Sequence, residues 1–301
     1  MQPVFWNKVV WITGASSGIG EALVYSFDSQ GAKIIISARN STRLAQVKAR
    51  CTSEDNVHIL PLDLSLSSEL KQKANEALSK WGRIDIMIHN GGVAARALVE
   101  GTSPEVDRVV METNYFGPVA LTKAVLPAML EKRSGHIVVV SSLSGKYGVP
   151  KLSSYSASKH ALHGFFESLR AEVHSRGIDV SIVIPGFVKT QIILNSLTTD
   201  GKAREKNLSV NEKGMDVSIC AEKIIIAIAK RQSEALIGGS EIVSVYLHRF
   251  FPNLQRILIR NHPVRRMAQL KNLLRLKYNV GVHFSSLLKM INFKSTRKQA
   301  L

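Results

Sequence analysis

The 301-residue chain predicts an α/β fold. The expected form is a doubly wound parallel sheet of about seven strands, with helices on both faces and a basic C-terminal extension. Three observations carry this. Short apolar runs alternate with helix-period segments over residues 1–240, the pattern of strands buried on both faces and joined by crossover helices. A glycine-rich turn separates the first apolar run from the first helical segment. Residues 241–301 drop the alternation and read as a separate basic, amphipathic extension. With 45% hydrophobic residues, the first part suits one large domain with a well-buried core.

The elements follow in order. Val9-Val10-Trp11-Ile12 marks a strand near 8–13, and Glu21 to Phe27 a helix near 19–30. Further apolar runs predict strands near 33–38, 57–61, 84–89, 136–142, 179–184 and 234–238. Amphipathic stretches between them predict helices near 41–50, 67–80, 104–132, 153–176 and 216–231. The segment from Lys189 to Met215 is polar and carries no such pattern.

The first turn reads Thr13-Gly14-Ala15-Ser16-Ser17-Gly18-Ile19-Gly20. Strand, glycine turn, helix is the context in which backbone N–H groups and a helix N-terminus cradle phosphate. Gly14 and Gly18 let the backbone approach a pyrophosphate, and Gly20 lets the helix pack on the strand. Ser17 and Ile19 complete the predicted cofactor loop. The hydroxyls of Thr13 and Ser16 suit phosphate or backbone contacts, or are ordinary turn residues. The glycine spacing differs from the common G-x-G-x-x-G fingerprint.

Tyr155-Ser-Ala-Ser-Lys159 places a phenol and an ammonium on one face of the helix predicted there. A cation beside a phenol lowers its pKa from about 10, so the pair suits proton exchange with a carbonyl or alcohol oxygen. Such a pair is common in sequences, and its weight comes from the glycine loop upstream.

Together, T-G-x-x-x-G-x-G and Y-x-x-x-K resemble the short-chain dehydrogenase/reductases, and the resemblance covers roughly residues 8–240. It implies a Rossmann-type fold and assigns further residues. Asp63, with Leu64, matches the adenine contact. His89-Asn90-Gly91-Gly92 stands where the family has N-N-A-G, with Asn90 and Gly91 at the cofactor. Asn114 matches an active-site asparagine that holds a proton-relaying water. Ser142 has the spacing of the catalytic serine, which holds the substrate oxygen. Pro185, Gly186, Val188 and Thr190 match P-G-x-V-x-T beside the nicotinamide. Tyr155 becomes the general acid in reduction and the base in oxidation. Lys159 lowers the Tyr155 pKa and bonds the nicotinamide ribose. For Asp63 and Thr190, helix capping is the alternative role. Met111 to Lys123 and Ser158 to Ala161 look like the SDR family member 7 and 7B branch, whose members are linked to membranes and to lipid-like ketones, which suggests a substrate class.

Arg39 follows the second strand, and Ala38 stands where NAD-specific relatives carry an acid. The pair predicts NADP(H) rather than NAD(H), against the alternative of a solvated surface arginine. The expected activity is NADPH-dependent reduction of a ketone or aldehyde. The alternatives are an NADP-dependent alcohol dehydrogenase of steroid or retinoid type, and a cofactor-binding scaffold without catalysis. The family's usual interface helices, here 104–132 and 153–176, imply a homodimer or homotetramer.

The net charge of +17 is uneven: residues 242–301 hold 12 of the 40 basic side chains and none of the 23 acidic ones. Within them Val264, Met267, Leu270 and Leu274 recur at helical spacing among Arg265, Arg266, Lys271 and Arg275. The pattern suits an anionic membrane surface, or packing on the domain or a second subunit. Nucleic-acid binding has no recognition motif to support it. Cys51 and Cys220 have no paired spacing, which fits a reducing compartment. With little chain before the first strand for a leader and no apolar run of about 18 residues, a cytoplasmic protein is expected, peripheral at a membrane if the tail binds one. His160 and His163 lack a third ligand at suitable spacing, so no metal site is expected.

Overall fold

Val9 to Thr13 is buried at all five positions and forms β1, inside the sheet. The computed structural model describes residues 3–192, 196–202 and 214–260. Around β1 the strands β2 (Lys33–Ser37), β3 (Val57–Ile59), β4 (Ile86–His89), β5 (Gly135–Val140), β6 (Ile178–Pro185) and β7 (Glu234–Ile237) pair in the order β3-β2-β1-β4-β5-β6-β7. Every pairing is parallel, with Ile12 opposite both Ile36 and Ile88. The seven predicted strands are all present.

Successive side chains of β1 enter opposite layers, as a period of two requires. Val10 and Ile12 pack with Val24 and Phe27 of α1 (Gly18–Asp28) and Ile224 and Ile228 of α7 (Val217–Ala229). Val9 and Trp11 pack with Leu70 of α3 (Ser67–Trp81), Leu121 of α5 (Gly117–Glu131) and Phe166 of α6 (Ser153–Val173). Each fully buried Leu, Ile or Phe contributes roughly 1.5–3 kcal/mol. α2 (Ser41–Lys48) begins directly after β2, where the Asn40 side chain caps it by accepting from Arg43 N at 2.9 Å.

The sequence predicts one helix over 104–132. The structure has α4 (Pro104–Met111), a π-helical turn over Glu112–Phe116, and then α5. Pro118 has no N–H to give the carbonyl of Asn114, four residues back, and its ring crowds that carbonyl. A widened turn relieves both problems, and such turns often occur at functional sites.

Residues 243–260 form α8 (Val243–Phe250) and α9 (Pro252–Arg260). The chain divides into two units, Met1–Pro252 and Asn253–Leu301. In α9, Leu254, Ile257 and Leu258 are exposed at helical spacing. The predicted amphipathic stretch over 264–274 lies outside the described residues, as do 193–195 and 203–213 of the polar segment. Among the described residues, no helix is long and apolar enough to cross a membrane.

His89 ends β4 and is buried, with Nε2 2.8 Å from Thr122 Oγ1. Burial pushes its pKa down to about 3, and that of His136 to about 4. The unfolded chain takes up these protons near pH 6.5, while the folded chain stays neutral until far lower pH. Their contribution to stability is therefore complete above about pH 6.5 and is lost as pH falls toward the folded values. Replacing His89 by Gln should remove up to about 1.4 kcal/mol per pH unit from the acid slope of stability below pH 6. Urea melts of both proteins from pH 7 to 4.5 would show it, and parallel slopes would contradict it.

Candidate active site

The carboxyl ends of β1, β4, β5 and β6 converge where the winding of the sheet reverses between β1 and β4, the usual position of a ligand crevice in such sheets. Thr13 ends β1 fully buried, and its hydroxyl serves the backbone. It donates to the Ile88 carbonyl at 3.3 Å and accepts from Asn90 N at 3.2 Å and Gly91 N at 3.1 Å. Asn90 Nδ2 returns the tie, donating to the carbonyls of Thr13 and Gly14 at 3.1 and 3.2 Å. Thr13 is thus a backbone clamp, making backbone contacts of the kind its hydroxyl suits.

Gly14 and Gly18 both lie in the left-handed region, with φ of 67° and 59°. A Cβ on Gly14 would stand 2.6 Å from Gly91 Cα, so the two loops can meet only backbone to backbone. A Cβ on Gly18 would stand 3.4 Å from Thr190 Cγ2, which places the P-G-F-V-K-T segment across from the loop. Ser16 and Ser17 are half-buried on the loop, Ile19 leans on the core beside α1, and Gly20 is buried in the first turn of α1. This narrow backbone cradle at a helix N-terminus fits a dinucleotide pyrophosphate.

Arg39 is exposed just past β2, with no hydrogen-bond or ion-pair partner among the described residues. Arg43, in the first turn of α2, is a second exposed cation nearby that the sequence reading passed over. Asp63 Oδ1 accepts from Ser65 N at 2.9 Å and Ser65 Oγ at 2.8 Å, so this carboxylate closes a local turn. Leu64 is buried in the core.

The four predicted catalytic residues come together from three elements. Asn114 is buried in the π-helical turn. Its Oδ1 accepts from Val93 N at 2.8 Å, and Nδ2 donates to Val93 O at 2.8 Å and to Ser158 Oγ at 3.0 Å. The side chain therefore anchors the loop after β4 to α6. Pro118, with no N–H, cannot supply the i+4 donor to the main-chain carbonyl of Asn114. Ser142, just past β5, hydrogen-bonds Tyr155 and accepts from Ser144 N at 3.2 Å.

Lys159 is buried and donates to the Val140 carbonyl at 2.8 Å, with Nζ 5.6 Å from the centroid of the Tyr155 ring. Burial pushes its pKa down to about 8. The Tyr155 phenol moves the opposite way from the sequence expectation: burial pushes it up to about 12, with the Ser142 hydrogen bond opposing. The i,i+4 reading took the pair as if in water. Here desolvation outweighs the lysine, whose ammonium lies over the ring.

β6 ends at Pro185, and the segment beyond is held by a residue the sequence reading missed. Glu241 Oε1 accepts from Phe187 N at 3.1 Å, and Gly186 N donates to the Ile237 carbonyl at 2.7 Å. Burial raises the Glu241 carboxyl, but backbone N–H groups of Gly239, Glu241 and Phe187 prevail and hold it below its usual value. Val188 bridges to Met215, and Thr190 N bonds the Val188 carbonyl. Tyr147 OH reaches Ser244 Oγ of α8 at 2.7 Å. No local signal marks Glu241 or Ser244, since both act across long loops. The described His160 Nδ1 faces the Ser156 carbonyl at 2.7 Å. His163, Glu167 and Glu234 do bring three potential ligand atoms within 4.8 Å, a third partner that sequence spacing did not reveal.

A phosphate cradle beside a Ser-Tyr-Lys cluster defines a nicotinamide-dependent oxidoreductase. Comparison with known proteins identifies the family: the short chain dehydrogenase model matches residues 8–200. A "Dehydrogenase/reductase SDR family protein 7-like" of Drosophila melanogaster is 41% identical over 254 residues, covering 82% of this chain and 78% of its own. "Dehydrogenase/reductase SDR family member 7B" of Xenopus tropicalis is 39% identical over 256 residues, with 82% and 83% covered. A Burkholderia phymatum short-chain dehydrogenase/reductase solved with NAD superposes with a TM-score of 0.74 at 25% identity, over 83% of this chain and 96% of its own. A metagenomic short-chain oxidoreductase solved with NADP gives 0.65 at 27% identity, over 78% and 98%. The chain belongs to the short-chain dehydrogenase/reductase family, in its member 7/7B branch, and is an oxidoreductase acting on CH–OH or C=O groups of small molecules.

Proposed function

We propose that the protein reduces a ketone or aldehyde with NADPH, and that Tyr155 supplies the proton. The observation that carries this is the phenol itself. Half-buried, hydrogen-bonded to Ser142 and pushed up to about 12, it holds its proton throughout the physiological range. An alkoxide forming on the substrate is a stronger base than the phenolate, so transfer from Tyr155 to that oxygen runs downhill. In the oxidative direction the same hydroxyl would act as the base once it has given up that proton.

The nicotinamide, when bound, supplies the hydride to the carbonyl carbon. The chain supplies the rest. Ser142 donates to the substrate oxygen and shares its developing charge. Lys159, with its ammonium 5.6 Å from the ring centroid, would reprotonate the phenolate and would hydrogen-bond the nicotinamide ribose of a bound cofactor. Asn114 would hold, through its main-chain carbonyl, the water that returns a proton to Lys159. Thr190, Val188, Gly186 and Pro185 would hold the nicotinamide side of a bound cofactor, and Asp63 its adenine.

Arg39 supports the choice of NADPH. It is a cation with no partner among the described residues, at the end of β2 where the adenosine ribose falls in such sheets. Arg43 stands within the next helical turn to share a 2′-phosphate. Arg39→Ala should weaken NADPH binding by about 10- to 100-fold, the loss of one charge-assisted contact, and leave NADH binding unchanged. Fluorescence titration with both cofactors reads this. Equal effects on the two would refute the 2′-phosphate role. The substrate reading is tested by following NADPH oxidation against ketones with long apolar tails.

A further inference from the structure

Tyr155, Lys159 and His163 are spaced four and four along α6, so they share one face. They meet three consecutive residues where the chain leaves β5. Tyr155 hydrogen-bonds Ser142, Lys159 Nζ donates to the Val140 carbonyl at 2.8 Å, and His163 Nε2 lies 3.0 Å from Ser141 Oγ. The first two contacts belong to the proposed proton transfer, and the third has no part in it.

We propose that His163 is a positioning residue, which clamps Ser141 and so holds the neighbouring Ser142 hydroxyl where it meets Tyr155 and the substrate oxygen. The proposal rests on the roles given above to Ser142 and Tyr155. Both partners of the clamp are buried, His163 at 7% exposure and Ser141 at 3%, so water does not compete for the bond. The turn that follows leaves no slack. A Cβ on Gly145 would stand 2.6 Å from Ser141 Oγ, 3.0 Å from the Lys159 carbonyl and 3.2 Å from His163 Cδ2.

The far side of the imidazole fixes its tautomer. Nδ1 lies 3.4 Å from Glu167 Oε1, one turn on along α6. Glu234 of β7 and Lys146 from the end of the β5–α6 turn complete the charged groups facing it, joined to each other at 2.6 Å. Burial pushes the His163 pKa down to about 4, so the ring is neutral near pH 7 and carries one N–H. Placing it on Nδ1 toward Glu167 leaves Nε2 to accept from the Ser141 hydroxyl, which satisfies every group. The Lys146 ammonium already supplies a cation to the carboxylates, so the cluster needs no metal to balance it. A surface carboxylate thus orients the imidazole, the imidazole orients Ser141, and Ser141 precedes the serine that touches substrate.

Displacing a reacting group by about 1 Å can cost on the order of 100-fold in rate. The test uses the full chain with NADPH and 9,10-phenanthrenequinone as the reducible probe. His163→Leu should lower kcat about 10- to 100-fold, with KM, NADPH affinity and melting temperature close to wild type. His163→Gln, whose amide can reach the Nε2 position, should recover most of the loss. Ser141→Ala should match His163→Leu, and the double variant should be no worse than either. A wild-type rate in His163→Leu, or no recovery in His163→Gln, overturns the proposal. If His163→Leu does not fold, Ser141→Ala decides in its place, a wild-type rate again overturning it. If the wild type leaves the probe untouched, the catalytic reading fails separately. Hydrogen exchange of amides 143–147 then decides on the clamp: faster exchange in His163→Leu that His163→Gln reverses upholds it, and unchanged exchange removes it.

Discussion

Replacing Tyr155 by Phe is expected to lower kcat for carbonyl reduction by about 10²- to 10⁴-fold, the range of a lost general acid, while NADPH still binds. The ring keeps its volume and its packing, so the fold has no reason to change. What disappears is one hydroxyl, the group that Ser142 hydrogen-bonds at the end of β5. With no proton donor within reach, the alkoxide must form unneutralised, assisted only by Ser142. The glycine cradle and the Thr13–Asn90 ties lie on β1 and β4 and do not use the phenol, so cofactor affinity should survive. Steady-state turnover together with NADPH titration of the same preparation separates the two effects. A Tyr155→Phe protein as active as wild type would show that another group protonates the product.

The sheet was legible because each strand is a short apolar run between polar helical stretches, and such runs have few places to go except a buried parallel sheet. The residues of the candidate site were legible because their motifs are local in sequence or keep a fixed spacing. The failures share one cause, which is that they depend on distant parts of the chain. Glu241 holds Phe187 from 54 residues away. The partners of Asn114 are a loop residue, Val93, and a helix residue, Ser158, and only the fold brings them together. The break in helix 104–132 had a local sign in Pro118, but a proline near an element boundary also fits an ordinary first turn. The Tyr155 pKa was misjudged because a motif displays the neighbouring charge and conceals the burial.

The second large effect concerns the cradle, where two glycines of similar conformation should fail in different ways. Alanine at Gly14 must hold φ near 67° and places its Cβ 2.6 Å from Gly91 Cα and 2.8 Å from Gly91 N. These are backbone atoms, and Gly91 is tied to Thr13 at 3.1 Å, so the junction of β1 and β4 must open. We expect Gly14→Ala to cost about 2–4 kcal/mol of stability together with cofactor binding. Alanine at Gly18 meets only the Thr190 methyl, at 3.4 Å, which a small side-chain adjustment relieves. The cost there is mainly the left-handed backbone, roughly 1–2 kcal/mol, or a few degrees in Tm for a domain of this size. Its methyl nevertheless projects toward Thr190, across the gap that a bound pyrophosphate and nicotinamide must span. Gly18→Ala should therefore remain folded while losing at least about tenfold in NADPH affinity, since backbone approach to phosphate leaves no room for a methyl. Melting curves with and without NADPH distinguish the cases: Gly14→Ala melts low in both, and Gly18→Ala melts near wild type alone but gains little from the cofactor. A Gly18→Ala protein stabilised by NADPH as much as wild type would place the pyrophosphate elsewhere than between the loop and Thr190.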